Sequence, residues 1–433
     1  MQVKIMKMGI NGEGIGYIDS KPVFVPGAIS EELVNIQDVK KMNTYCTASL
    51  QSVIKKSKSR VTPKCAMQPR CGGCNMMHMT MKKQLEVKQD TMRQTMIKYA
   101  GLKDVSILPI IKSEDYYYYR NQFKFPVKTL QGKLVSGMFQ PESHHLVYLN
   151  HCMIHEKELE KLRIAIMDVL NTHKVKDYYE RIQSGLRYII CRGFEGKYQL
   201  TLVTGENSMS NGCIEALSKI EGIQSIYQNI NTDDRRITSD DYRLLYGSKT
   251  IELRFKELVF RLSPASFFQL NFKQALNLYD YAVGLIEPCD VVVEAYSGIG
   301  AMSLMAASKA QEVYGVEIVG AAVKNANSNA KFNHMDDYVR FVCSDAGKYL
   351  STFEKDIDYL LIDPPRKGID DKMIDAIYAK QPKNIIYVSC NPSTLAKNIY
   401  ELEELYEVVS MQPFDMFPNT SNIECVTKLT LRK

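Results

Sequence analysis

From about residue 272 the apolar positions fall into short β-branched runs separated by longer stretches of helical spacing, which predicts a parallel sheet with helical crossovers. A helix over 275–286 precedes strands at 291–293, 313–316, 338–342, 358–362 and 385–389, and two more follow at 406–412 and 423–431. Seven strands with helices between them describe an α/β, doubly wound, Rossmann-like domain over 272–433. Residues 1–55 carry a different pattern. Short runs such as Tyr17-Ile18 and Val23-Phe24-Val25 are punctuated by Gly9, Gly12, Gly14 and Gly16, which predicts a small β-barrel. The stretch 56–271 reads as a central α+β domain. It has a helix over 76–100 with Leu85, Met92, Met96 and Tyr99 at helical spacing, helices near 156–171 and 211–220, and strands within 186–204. The tract Tyr116–Phe125 reads as a strand, its aromatics interleaved with Arg120, Asn121 and Lys124 as candidate RNA contacts.

One strand ends unusually. Ile385-Ile386-Tyr387-Val388-Ser389 runs into Cys390, then Asn391 and Pro392. Asn391 suits a helix N-cap, and Pro392 suits the first helical position, where no backbone N–H is needed. Cys390 is therefore expected at the carboxyl end of a parallel strand, where open α/β sheets bind ligands. It also meets the positive end of a helix dipole, which favours thiolate. A lone cysteine there is more often inert and buried; the surrounding motifs reverse that balance.

Other strand ends carry compatible chemistry. The first leads into Glu294-Ala295-Tyr296-Ser297-Gly298-Ile299-Gly300, the second ends at Glu317, and the third leads to Asp345. A glycine-bearing first turn with an acid ending the next strand fits a nucleotide or S-adenosylmethionine, with Glu317 on ribose and Asp345 near adenine. Glu294 and the lack of a G-x-G-x-x-G fingerprint favour the methionine-derived cofactor over NAD.

Composition adds bounds. With 45% hydrophobic and 24% charged residues the 433-residue chain is ordinary soluble-globular material, long enough for two or three domains. No run reaches the roughly 18–20 apolar residues of a membrane span, and Met1-Gln2-Val3-Lys4-Ile5 lacks a signal-peptide core, so a cytoplasmic location is expected. A monomer is expected as well. The net charge is only +6, yet eight Lys or Arg and no acid lie between Lys55 and Gln84, which reads as a polyanion-facing patch. Within that tract Cys65, Cys71 and Cys74 stand at C-x5-C-x2-C spacing, a strong metal-site signal that needs a fourth ligand. Cys152 is the best distant candidate; with His78, His151 or His155 also at hand, the residues leave zinc and iron–sulfur equally open.

Asp363-Pro364-Pro365-Arg366-Lys367-Gly368 after the fourth strand and Ser389-Cys390-Asn391-Pro392 after the fifth resemble RNA uracil-5-methyltransferases. Phe267-Phe268-Gln269-Leu270-Asn271 and Ile423-Glu424-Cys425-Val426 extend the resemblance over nearly the full length. Residues 1–55 resemble the TRAM domain, an OB-like RNA-binding barrel. With the cysteine set they look like the branch acting on 23S ribosomal RNA, which carries a [4Fe-4S] cluster. The resemblance implies Cys390 as nucleophile and Glu424 as general base. It implies Gln269, Tyr296, Glu317 and Asp363 as S-adenosylmethionine contacts, Phe267 near the target base, and Cys65, Cys71, Cys74 and Cys152 as cluster ligands. Arg366 and Arg120 remain candidate RNA contacts, and Ala301 departs from the polar residue many relatives carry. The rival readings are a tRNA uracil-5-methyltransferase, an RNA cytosine-5-methyltransferase, and an RNA-binding module with a disabled transferase domain. Ser-Cys-Asn-Pro and Glu424 argue against the second, and the presence of Cys390 and Glu424 against the third.

Overall fold

A computed structural model describes every residue of the chain except Pro69, Val105, Glu142 and Lys433. Chain contacts divide it into two compact units. One comprises Met1–Tyr116, Pro365–Gly368 and Val388–Leu429; the other comprises Tyr117–Pro364, Ile369–Tyr387 and Thr430–Lys433.

The first unit opens with a six-stranded sheet ordered Gln2–Lys4, Leu33–Lys41, Cys46–Lys55, Lys21–Val25, Gly14–Ile18 and Lys7–Met8. Alternation aims Val23 and Val25 inward, where they join Val3, Ile5, Val34 and Ile36 in one core. Gly16 serves this packing: a Cβ there would lie 2.3 Å from Val3 Cγ1. The glycines of 9–16 thus build a barrel wall rather than a phosphate loop. The helix Met81–Ala100 starts later than the apolar pattern suggests, at the cap Thr80, whose hydroxyl accepts from Lys83 N.

The basic tract needs one correction. Arg60 is a barrel residue, not a polyanion contact. Its Nε lies 2.5 Å from Glu32 Oε1, and its Nη2 donates to Glu32 Oε2 and to the Gly27 carbonyl. Burial pushes the Glu32 carboxyl up, but Arg60 and the Ile29 and Ser57 amides outweigh this and hold it below the ordinary carboxylate range.

The second unit contains a seven-stranded sheet ordered Tyr242–Gly247, Ile223–Ile230, Lys197–Thr204, Leu186–Phe194, Gln122–Leu130, Lys133–Phe139 and Leu146–Tyr148. The strand expected over 116–125 begins only at Gln122. Tyr118 has φ +59 and turns the chain, while Arg120 makes isolated bridges to His155 and Asn271.

The third sheet has the order Val339–Cys343, Ala310–Glu317, Cys289–Ala295, Tyr359–Ile362, Asn384–Ser389, Glu424–Leu431 and Tyr406–Phe414. Its first five strands pair in parallel. The order reverses direction beside Cys289–Ala295, the switch point at which such sheets open a ligand crevice. All seven expected strands are present. Among the described residues no helix is long and apolar enough to cross a membrane.

Candidate active site

In the second unit the strand Cys289–Ala295 delivers the chain into a tight turn. Tyr296, Gly298 and Gly300 all adopt positive φ, +63, +53 and +82. At Gly300 a Cβ would strike the Phe341 ring at 2.3 Å, whereas at Gly298 it would meet open space. The turn is fastened to the next strand by Glu317, whose Oε2 accepts from Gly298 N at 3.1 Å and Oε1 from Val319 N at 2.8 Å. The acid expected on ribose therefore also shapes the glycine turn. Asp345 caps the helix Ala346–Thr352, accepting from Lys348 N at 3.0 Å.

Two acids, buried Glu294 and half-buried Asp363, lie at the ends of neighbouring strands beside this turn. Ser303 donates to Glu294 in a short hydrogen bond. Burial pushes the Glu294 carboxyl up to about 8, against the Ser303 bond and with help from the charges of Asp363 and Glu317. Burial likewise pushes Asp363 up to about 7. Burial also raises the Tyr296 phenol to about 12, with Asp370 and Asp345 adding to it. A glycine turn with open space at Gly298, a ribose-type carboxylate and carboxyls poised near neutrality fit an adenosyl ligand bearing a positive centre. Ser303 was not anticipated; a lone hydroxyl in the apolar turn Ala301–Ala306 was its only trace.

Before this sheet, Asn121 donates its Nδ2 to the Gln269 carbonyl at 3.2 Å, and its backbone N–H bonds the Leu270 carbonyl at 2.9 Å. Buried Arg192 donates to the carbonyls of Ser263 and Ser266. Between these two anchors Phe267 stands 71% exposed while Gln269 is buried. Rigid anchorage of an exposed phenyl ring suits stacking on a base. Asn121 thus acts on protein backbone, and Arg120 is half-buried within the isolated bridges above.

In the first unit Cys390 follows the strand end Ser389 and stays half-buried. Asn391 is the N-cap of the helix Pro392–Leu402, accepting from Ser393 N at 3.1 Å, with Pro392 in the first turn. The same side chain donates Nδ2 to the Arg366 carbonyl at 3.0 Å, and Thr394 Oγ1 donates there too, at 3.3 Å. The exposed Arg366 reaches from Nη2 to Asn422 Oδ1 at 3.2 Å. Glu424 lies two residues on, at the start of the strand Glu424–Leu431, and is 4% exposed. Arg366 therefore ties the cysteine loop to the segment that presents Glu424. A thiol at a helix N-terminus and a buried carboxyl held by one arginine-centred network can form and later break a covalent bond to carbon. Asn422 was missed by sequence reasoning, although its place two residues before Glu424 was a cue.

The cysteine set differs from the expectation. Cys65, Cys71, Cys74 and Cys152 are each half-buried, yet among the described residues no three His, Cys, Asp or Glu side chains converge as a metal shell requires. Gly73 N lies 3.4 Å from Cys71 Sγ, and Cys152 N donates to Glu160 Oε2 at 3.0 Å. Burial raises the Cys152 thiol to about 12.

Comparison with known proteins agrees with this geometry. Residues 80–432 match the family described as tRNA (Uracil-5-)-methyltransferase, and residues 1–49 match the TRAM domain. A protein of Bacillus anthracis described as an uncharacterized RNA methyltransferase is 35% identical, covering 99% of this chain and 96% of its own. One of Enterococcus faecalis with the same description is 33% identical over 99% and 97%. The solved structure of Pyrococcus abyssi tRNA (uracil-54, C5)-methyltransferase, in complex with S-adenosyl-L-homocysteine, superposes with a TM-score of 0.82. It covers 99% of this chain and all of its own at 24% identity, which shows a shared fold.

Proposed function

The chain belongs to the tRNA (uracil-5-)-methyltransferase family, and from that premise we propose that it methylates C5 of uridine in 23S ribosomal RNA, with S-adenosylmethionine as donor. The observation that carries the reading is Cys390 at the N-terminus of its helix, joined through Asn391, Arg366 and Asn422 to the segment bearing Glu424.

Uracil C5 is too weak a carbon nucleophile to take a methyl group unaided. The Cys390 thiolate adds to C6, breaking the C5–C6 double bond and leaving an enolate with electron density at C5. S-adenosylmethionine, when bound, would supply an electrophilic methyl on a positively charged sulfur; C5 takes that methyl as the S–CH3 bond breaks, and S-adenosylhomocysteine is the leaving group. Tyr296, Gln269, Glu317, Asp345 and Asp363 are the residues that would hold the cofactor, against the open face of Gly298. Glu424 then takes the C5 proton, the double bond reforms, and Cys390 leaves as thiolate. Phe267 stacks on the RNA, and a base buried in a folded RNA must be flipped out to reach the thiol. Arg366 and Arg120 would meet phosphate.

The ribosomal assignment rests on the TRAM barrel together with the Cys65, Cys71 and Cys74 spacing. A tRNA target is the second reading, because the fold shared with the archaeal tRNA enzyme extends over the whole chain, barrel included. A [4Fe-4S] cluster rests on the resemblance of the cysteine set to the branch acting on 23S ribosomal RNA, since spacing alone leaves zinc equally open, and no step above is assigned to it. Iron and sulfide analysis of protein purified without oxygen tests it: stoichiometric zinc without sulfide refutes it.

Methylation of 23S and tRNA transcripts side by side decides the substrate; efficient modification of tRNA alone rejects the ribosomal reading. Glu424→Gln tests the chemistry. Because the base acts after methyl transfer, this variant is expected to accumulate a protein–RNA adduct that survives denaturing gels. An inactive variant that forms no adduct overturns the assigned order of steps.

A further inference from the structure

We propose that Lys88 and Gln84, on a helix outside the transferase sheet, are positioning residues for the step catalysed by Glu424. This rests on the reading of Glu424 as the base that releases the methylated RNA.

The segment between the strands Tyr406–Phe414 and Glu424–Leu431 has no regular structure of its own, and its shape is imposed by side chains far away in sequence. Lys88 Nζ lies 2.5 Å from Asp415 Oδ1 and 3.1 Å from the Phe417 carbonyl. Lys88 is 1% exposed and Asp415 is fully buried. Gln84 Oε1 accepts from Asn419 N at 2.8 Å and its Nε2 donates to Asn419 Oδ1 at 3.3 Å. Asn419 is held at φ +67, with its Nδ2 on the Tyr116 carbonyl at 2.7 Å. Asn75 accepts from Ser421 N at 3.0 Å. Thr420 Oγ1 accepts from Asn422 N at 3.3 Å, and Asn422 receives Arg366. Every second residue from 415 to 421 is therefore fastened to a side chain from 75–88, and Glu424 follows three residues after the last of them.

A buried ion pair is a poor source of stability, since desolvation of both charges offsets most of their attraction. This one is not even fully satisfied: Asp415 Oδ2 and Tyr116 Oη are buried without a hydrogen-bond partner among the described residues. What such a pair does provide is a single allowed arrangement, because a shifted loop strands both charges. A general base needs that, since proton abstraction falls steeply with small displacement.

The test separates positioning from folding. In Lys88→Met/Asp415→Leu both charges go together and packing is kept, so thermal stability is expected to stay close to the parent protein. Each variant is mixed with 23S and tRNA transcripts, and methyl transfer and release of RNA are followed separately. The expected result is first-turnover methyl transfer within about threefold of the parent. Release should slow at least tenfold, with denaturation-resistant adduct building up as in Glu424→Gln. Gln84→Leu, which leaves no charge behind, should give the same imbalance more weakly. A folded double variant that releases RNA at the parent rate overturns the proposal, as does a parallel loss of transfer and release without adduct. If Glu424→Gln itself forms no adduct, the reading of Glu424 falls and the proposal with it. Adduct in Glu424→Gln but in neither clamp variant rejects the clamp alone.

Discussion

Replacing Asn391 separates two functions that its side chain combines. Its Oδ1 caps the helix after Cys390, and its Nδ2 holds the Arg366 carbonyl. Loss of an N-cap costs about 1 kcal/mol, and loss of one neutral hydrogen bond about another 1 kcal/mol. Asn391→Ala should therefore destabilise its unit by about 2 kcal/mol, whereas Asn391→Asp keeps the cap and should lose about half of that. Reactivity should rank differently. In the alanine variant the helix N-terminus still faces Cys390. The aspartate variant puts a negative charge on the residue next to the thiolate, and two like charges about 6 Å apart repel by about 0.7–2.8 kcal/mol for an effective dielectric of about 80–20. Alkylation of Cys390 by iodoacetamide at neutral pH, read by mass spectrometry of its peptide, should be about tenfold slower in Asn391→Asp and little changed in Asn391→Ala. Urea unfolding supplies the stability order. An aspartate variant that alkylates as fast as the parent refutes the electrostatic reasoning.

Other outcomes follow from the cofactor turn. Gly300→Ala must push a Cβ into Phe341 and hold φ near +82, so it should lose S-adenosylhomocysteine binding in calorimetry. Gly298→Ala meets no atom and bears only the left-handed strain of about 1–2 kcal/mol, visible as a modest drop in melting temperature. Asp363 is raised to about 7, so folding favours its protonated form. The stability this gives is present at acid pH and is lost as pH rises from the ordinary carboxylate range through 7. A sulfonium cation prefers the ionised form. S-adenosylmethionine should thus bind about tenfold more weakly at pH 6 than at pH 8, because only about a tenth of Asp363 is then ionised. S-adenosylhomocysteine, without that positive sulfur, should vary much less, and equal pH profiles for the two would contradict the assignment.

What the sequence made legible was local. The strand, Cys390, Asn391 and Pro392 could be read because capping and the missing proline N–H act within four residues. The seven-strand alternation could be read because each strand and helix buries its own face. Arg60 was misread because its partner, Glu32, lies 28 positions away, and a basic run does not reveal which of its members turns inward. Tyr118 was read as strand because aromatic residues favour sheets, but the bridges of Arg120 to His155 and Asn271 accompany a turn that propensity does not report. Glu294 was noticed, but its bond to Ser303 and its raised carboxyl depend on burial that only the assembled sheet creates.

The 327 positions between Lys88 and Asp415 also bear on how the protein is made. At about 5–20 residues per second, a ribosome needs roughly 15–65 s between the two. For all of that time the helix Met81–Ala100 carries Lys88 without the carboxylate that will pair with it. Cys390 and Glu424, the proposed nucleophile and base, are likewise translated well after the barrel of residues 1–55. On the proposed roles, a chain released before Cys390 would possess its barrel, yet could neither form nor resolve a covalent bond to a transcript.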